Sequence, residues 1–307
     1  DLELYKEACS IYDEMKGNLP IPFQPIPLGY NTKQILNHGY KRFSDLFNKR
    51  QLLCLGLLLQ AINELEDKES QFWLQLAFSG MLEMNNMFCR YQANAYKICN
   101  IFFNHAYAPI TMPVENNVWG TKLGTGNFTK TIEKILRGKK FCTQIYDVST
   151  IKSNKKVEVV KKYSDEKVQA YPVDDIKDLG INKPVLHCGD SKNLSFIKDE
   201  SVDIVLTDPP FGANVMYSEL IDFFHVWNFQ SSIGKELGFV EPLSPKKEEI
   251  VVNTVRNKTQ EDYSHGLQEV FKECNRVLKK TGFLIFSYHD KCMESWISLL
   301  GSVDKSG

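Results

Sequence analysis

Val202-Asp203-Ile204-Val205-Leu206-Thr207-Asp208-Pro209-Pro210-Phe211-Gly212 decides how the rest of this chain is read. Residues 202–206 are mostly apolar and bounded by turn formers, which predicts a short buried strand. Pro209 and Pro210 have no N–H to give to a ladder, so the backbone must leave the sheet there. A carboxylate, rigid backbone carbonyls and an aromatic ring thus stand at the carboxyl end of a strand. Open α/β sheets bind their ligands at that edge.

The flanks extend the pattern. Residues 184–191 predict another short strand, ending in Gly189-Asp190-Ser191. Residues 282–290 predict a third strand, preceded by a helix-like stretch over 270–279. Strand, connection, strand, helix, strand is the grammar of an α/β fold with a parallel sheet and crossover helices.

The chemistry offered by Asp208-Pro209-Pro210-Phe211 suits methyl transfer to a weakly nucleophilic amine. The exocyclic amine of adenine or cytosine is conjugated with its ring. If the Asp208 carboxylate and the Pro209 carbonyl accept its two N–H bonds, the nitrogen is pushed toward a tetrahedral geometry. Phe211 can stack on a base flipped out of the duplex. The competing reading is a plain turn after a buried strand, with Asp208 as a local cap.

The order Gly189-Asp190-Ser191, then Thr207-Asp208-Pro209-Pro210-Phe211-Gly212, then Arg276-Val277-Leu278-Lys279-Lys280-Thr281-Gly282 resembles an amino-group DNA methyltransferase. More narrowly, Asp208-Pro209-Pro210-Phe211-Gly212-Ala213-Asn214-Val215-Met216-Tyr217-Ser218-Glu219-Leu220 is similar to the large adenine-specific DNA methylases of prokaryotic defence gene clusters, some of which carry a zinc ribbon. The resemblance implies a Rossmann-like sheet that uses S-adenosylmethionine, DNA as partner, and other subunits of a defence or modification system. It implies Asp208, Pro209, Pro210 and Phe211 as catalytic residues. Phe211, Asn214, Tyr217 and Ser218 would bind the target base, and Asp190, Ser191 and Asp208 the cofactor. Asp190 reads equally well as an N-cap for the segment after Gly189.

A leading Asp favours adenine, because relatives acting on protein glutamine usually begin the motif with Asn and cytosine-specific ones often with Ser. RNA or a protein amide as substrate, and a non-catalytic nucleic-acid-binding fragment, stay open as alternatives. Enzymes of this kind also need a Gly-x-Gly loop after a first strand. Gly124-x-Gly126 is no such loop, because no apolar strand precedes it. In the resembled family that loop precedes the region corresponding to Asp1, and further strands follow the region corresponding to Gly307. The chain is therefore expected to be the middle and later part of a larger enzyme, with an incomplete sheet.

The 307 residues, 43% of them apolar, suffice for a sizeable core and for two domains. A net charge of −1 gives no global signature of nucleic-acid binding, so DNA contacts must come from local basic patches. Candidates are Lys49/Arg50, Lys246/Lys247, Arg256/Lys258 and the helix-like stretch 129–140 with Lys130, Lys134, Arg137, Lys139 and Lys140. Each can also be a solvated face. None of the eight cysteines forms a Cys-x-x-Cys pair, so neither a zinc ribbon nor any other metal site is expected, and the chain reads as reduced and cytoplasmic. The apolar run 52–59 is too short to span a bilayer, which needs about 20 residues.

Residues 1–147 predict a mostly helical region, with helices over 2–16, 47–65 and 70–91 and a helical continuation over 98–105. Asn86 and Arg90 are candidates for substrate contact, with helix-end capping and packing as the competing reading. Residues 148–180 predict an exposed insert with strand-like alternation over 156–163. Residues 181–307 predict the methyltransferase catalytic region. Within it the 217–229 stretch repeats Leu220, Phe223, Phe224 and Trp227 at helical spacing, and 231–261 reads as a long mobile loop able to close over substrate.

Overall fold

The computed structural model describes residues 1–153, 156–165 and 185–307. In chain order its elements are α1 (Leu2–Met15), α2 (Thr32–Asn37), α3 (Lys49–Asn63), α4 (Lys68–Met81), β1 (Arg90–Gln92), β2 (Lys97–Cys99), α5 (Phe128–Thr143), β3 (Tyr146–Ser153), β4 (Lys156–Tyr163), β5 (Val202–Thr207), α6 (Tyr217–Phe229), α7 (Gln260–Val277), β6 (Leu278–Phe286) and α8 (Met293–Asp304). Among the described residues the strands form three separate two-stranded sheets, β1–β2, β3–β4 and β5–β6, so the fold is mixed α/β. Two compact units share the chain. One takes residues 1–135, 215–249 and 253–257, the other 136–214, 250–252 and 258–307.

The core of the first unit grows from α3, α4 and α6. In α3, Leu52, Leu53, Leu55, Leu59 and Ile62 are buried. Asn48 starts that helix by a reciprocal cap: its side chain accepts from Gln51 N at 2.8 Å, and its own N–H donates to Gln51 Oε1 at 3.0 Å. Phe223 and Trp227 of α6 are fully buried. Phe47 stacks on Phe223 with centroids 5.6 Å apart and meets Trp227 edge-on at 5.4 Å, while Phe78 of α4 meets the same indole at 5.7 Å. Each such side chain contributes about 1.5–3 kcal/mol by leaving water, and the rings add edge and stacking terms of their own.

Two sequence expectations fail in this unit for identifiable reasons. The helix expected over 70–91 ends at Met81. There the side chain of Asn85 donates to Met81 O at 2.7 Å and that of Asn86 to Leu82 O at 2.9 Å, so side-chain amides satisfy carbonyls that a longer helix would use. The continuation expected over 98–105 does not form: Ile98 and Cys99 belong to a hairpin, and 101–105 are turn and bend. Arg90, Tyr91 and Gln92 pair antiparallel with Cys99, Ile98 and Lys97, and the chain turns at Tyr96 with φ 50°.

The polar side of α6 is buried as thoroughly as its apolar side. The Ser218 hydroxyl donates to Glu249 Oε2 at 2.5 Å. Asp222 accepts from Ser244 N at 2.9 Å and pairs with Lys246 Nζ at 2.6 Å. His225 Nε2 lies 2.7 Å from Glu241 O. Glu219, wholly enclosed, accepts from Asn253 Nδ2 at 3.0 Å, from the N–H groups of Tyr30 and Asn31 at 3.1 and 2.7 Å, and pairs with Arg256 Nε at 3.2 Å. The segment expected to be a mobile loop is thus strapped along α6 from Glu241 to Glu249 and again at Asn253 and Arg256. A polar group out of water is costly unless hydrogen-bonded, and these residues meet much of one another's need, while Asn253 Oδ1 and both terminal nitrogens of Arg256 are buried without a hydrogen bond among the described residues.

The second unit contains the β3–β4 hairpin and the parallel pair β5–β6. The hairpin runs in unbroken antiparallel register from Tyr146↔Tyr163 to Ser153↔Lys156. The rest of the insert expected over 148–180, from 166 on, lies outside the described residues. In β5–β6 the register is Ile204↔Phe283, Val205↔Leu284, Leu206↔Ile285 and Thr207↔Phe286, with an irregularity between Val202 and Ile204. Leu284 and Phe286 pack against Leu267 and Phe271 of α7 and Leu299 of α8. The alternate residues Ile204, Leu206, Phe283 and Ile285 stay exposed, Leu206 at 77%. Parallel sheets are ordinarily covered on both faces; among the described residues this one is covered on one.

The strand expected over 184–191 does not form. Pro184 lies outside the described residues, Val185 makes a lone bridge, and residues 186–190 have no ladder. β5 pairs with β6 alone among the described residues, so residues 186–190 have no ladder partner there. His187 rests instead on Phe196 with ring centroids 4.0 Å apart.

Candidate functional site

Asp208 is the first residue beyond β5, and it is exposed. The ladder runs one residue past β6, with Ser287 N donating to the carbonyl of Thr207, the last residue of β5, at 3.3 Å. That step brings the Ser287 hydroxyl to Asp208 Oδ1 at 2.7 Å. Pro209 is buried and anchors the turn, while Pro210 turns its carbonyl to the Tyr263 hydroxyl of α7 at 2.6 Å. The Tyr263 oxygen also lies 3.2 Å from that of Tyr288. Burial, and then the Tyr288 contact, push the Tyr263 phenol well above its usual range, so it stays a donor.

Phe211 is half-buried, its ring edge-to-face with Tyr288 at 5.1 Å, and Tyr288 is edge-to-face with Trp296 at 4.9 Å. Trp296 Nε1 donates to Asp290 O at 3.0 Å, which fixes the far end of this aromatic row. Gly212 has φ +51°, and a Cβ there would lie 2.7 Å from Ser295 Oγ and 3.2 Å from Asp290 Oδ2, so the chain needs glycine at that point. Past it, Ala213 and Asn214 join Gln260, His289, Asp290 and Ser295 around a cavity of about 510 Å³. Backbone carbonyl, aromatic ring, carboxylate and cavity therefore gather beyond the ends of two parallel strands, within the second unit.

The other expected site residues are distributed differently. Asp190 closes a turn of its own, accepting from Lys192 N at 2.9 Å, with Lys192 Nζ 3.5 Å from its second oxygen; Ser191 is exposed beside it. Both are in the second unit. Tyr217 and Ser218 begin α6 and belong to the first unit, Tyr217 exposed and Ser218 committed to Glu249. Asn86 is spent on backbone partners, and Arg90 lies over the Phe103 ring at 4.5 Å. Sequence reasoning assigns no role to Ser287, Tyr263 or Tyr288. Ser287 and Tyr288 stand in the stretch that predicts the third strand, and continuing the register from Thr207↔Phe286 sets Ser287 opposite Asp208, which is the available signal.

Glu273 and Arg276 organise the approach to β5. Arg276 Nη2 donates to Leu194 O at 2.8 Å and Nη1 to Ile197 O at 3.0 Å, while Glu273 accepts from Leu194 N at 2.8 Å. Residues 202–306 match the model of the DNA methylase family. The matched region is about a third of the chain, and it carries Asp208 through Phe211, Tyr263, Ser287 and Tyr288. The match supports an amino-group DNA methyltransferase, an enzyme whose substrate is DNA. No curated protein and no solved structure matches the chain. Among the described residues no helix is long and apolar enough to cross a membrane.

Proposed function

We propose that this protein transfers the methyl group of S-adenosylmethionine to the exocyclic amine of adenine in DNA. One observation carries the reading. Asp208 stands exposed at the end of β5 with one oxygen engaged by Ser287, while Oδ2 has no hydrogen bond among the described residues. That leaves a fixed, ionisable acceptor next to the Pro209 carbonyl, as the activation of a conjugated amine requires. Phe211, braced by Tyr288, offers a ring to the flipped base, and Asn214 lines the adjoining cavity. Tyr217 and Ser218 enter the proposal through their place in the sequence directly after the motif.

The cofactor's fit rests on donor chemistry. The Asp190 carboxylate is solvent-facing, and among the described residues its Oδ2 has only Lys192 Nζ at 3.5 Å, so the adenosine part of S-adenosylmethionine can compete for it with help from Ser191. The bound cofactor supplies an electrophilic methyl group. The chain's part is to hold the amine by Asp208 Oδ2 and Pro209 O, to stack the base on Phe211, and to offset with the Asp208 carboxylate the positive charge that grows on the amine nitrogen. Residues 181–307 would form the catalytic region, 1–147 a mostly helical region and 148–180 an insert. Lys130, Lys134 and Arg137 recur at helical spacing on α5 and would contact phosphates, Lys130 on leaving its ion pair with Glu133.

The test is transfer of labelled methyl from S-adenosylmethionine to unmethylated DNA by the full-length protein, followed by nucleoside analysis. N6-methyladenine is expected. Asp208→Ala should lower kcat by roughly two to three orders of magnitude and leave the fold intact, while Asp208→Asn keeps part of the activity because its amide oxygen still accepts. Label in RNA or in a protein amide would move the substrate to that class. No transfer to any acceptor, with Asp208 variants equal to wild type, would leave only a nucleic-acid-binding module.

A further inference from the structure

Asp208 alone does not define an amine-binding geometry. An exposed carboxylate turns freely about its terminal torsion, which has broad minima. Here that freedom is removed from the neighbouring strand. The Ser287 hydroxyl donates to Oδ1 at 2.7 Å, and the parallel register that aligns Thr207 with Phe286 places it there. Asp208 is the hydroxyl's one partner among the described residues. The ladder contact of Ser287 uses its backbone N–H, which any side chain would leave in place.

We propose that Ser287 is a positioning residue for the methyl transfer. It fixes the rotamer of Asp208 by occupying Oδ1, so that Oδ2 is the single carboxylate oxygen presented to the target amine. The proposal rests on the role given to Asp208 above. A neutral donor suits the task. Lysine or arginine at this position would hold the carboxylate equally well but would cancel the negative charge that the alkylated nitrogen needs opposite it. A hydroxyl orients the group and leaves its charge in place. Tyr263 completes the arrangement on the other side of the turn. Its hydroxyl takes the Pro210 carbonyl and, among the described residues, makes no hydrogen bond to that of Pro209, so the second acceptor for the amine stays available.

The test uses the full-length protein with S-adenosylmethionine and unmethylated DNA, comparing wild type, Ser287→Ala and Ser287→Thr. A small misplacement of a reacting group costs up to roughly a hundredfold in rate. Ser287→Ala is therefore expected to lower kcat roughly ten- to a hundredfold, with the KM for S-adenosylmethionine, the Kd for DNA and the melting temperature all close to wild type. Ser287→Thr keeps the hydroxyl and should restore most of kcat. Active wild-type enzyme whose Ser287→Ala variant retains wild-type kcat would overturn the positioning role alone. So would a loss that tracks a lowered melting temperature and is not rescued by threonine. Wild-type protein that methylates no acceptor would overturn the reaction itself and the role of Ser287 with it.

Discussion

At the scale of single residues the turn after β5 is narrowly determined. Gly212 sits at φ +51° against Ser295 and Asp290. The left-handed conformation alone costs a side-chain-bearing residue about 1–2 kcal/mol, and the new Cβ would meet Ser295 Oγ as well. Gly212→Ala should therefore lower the unfolding free energy by at least about 1–2 kcal/mol in urea titrations; an unchanged midpoint would mean that the turn relaxes around the methyl group. Asp208-Pro209-Pro210-Phe211 was legible beforehand because two prolines at a strand end leave the backbone few choices. Ser287 was not. A serine hydroxyl acquires a role only from what the register sets beside it, and it lies 79 positions away in sequence from the carboxylate it holds.

At the scale of elements, α6 was read correctly from Tyr217 to Phe229, because Leu220, Phe223 and Trp227 mark an apolar stripe. Periodicity cannot say what lies on the opposite side. Ser218, Asp222 and His225 have the composition of a wet face, yet each is buried under residues 241–249. The start of β5 depends on an ion pair that pH can interrogate. The Arg276 guanidinium, then the Leu194 N–H, hold the Glu273 carboxyl down at about 2. In an unfolded chain it titrates near about 4.3. Its contribution to stability is thus complete above that value and disappears as pH falls toward 2. Glu273→Gln should melt below wild type at about pH 7, and the gap should close between about pH 4 and pH 2. Melting curves across that range check this, and a pH-independent offset would point to lost packing.

At the scale of the whole molecule, the mixed α/β character was legible from the alternation of periods, while the partition of the chain was not, since it depends on contacts far apart in sequence. The chain passes from one unit to the other after residues 135, 214, 249, 252 and 257. This interleaving bears on how the gene can be cut. An expression fragment trimmed to the methylase match at 202–306 would keep Phe223 and Trp227 on α6, but discard Phe47 and Phe78, whose rings cover them. Such a truncation should yield an insoluble or dye-binding product. A soluble 202–306 fragment with cooperative melting would show that the matched region carries its own core. Short of that result, deletion mapping of activity along this gene will report the loss of α6's support before it reports anything about chemistry.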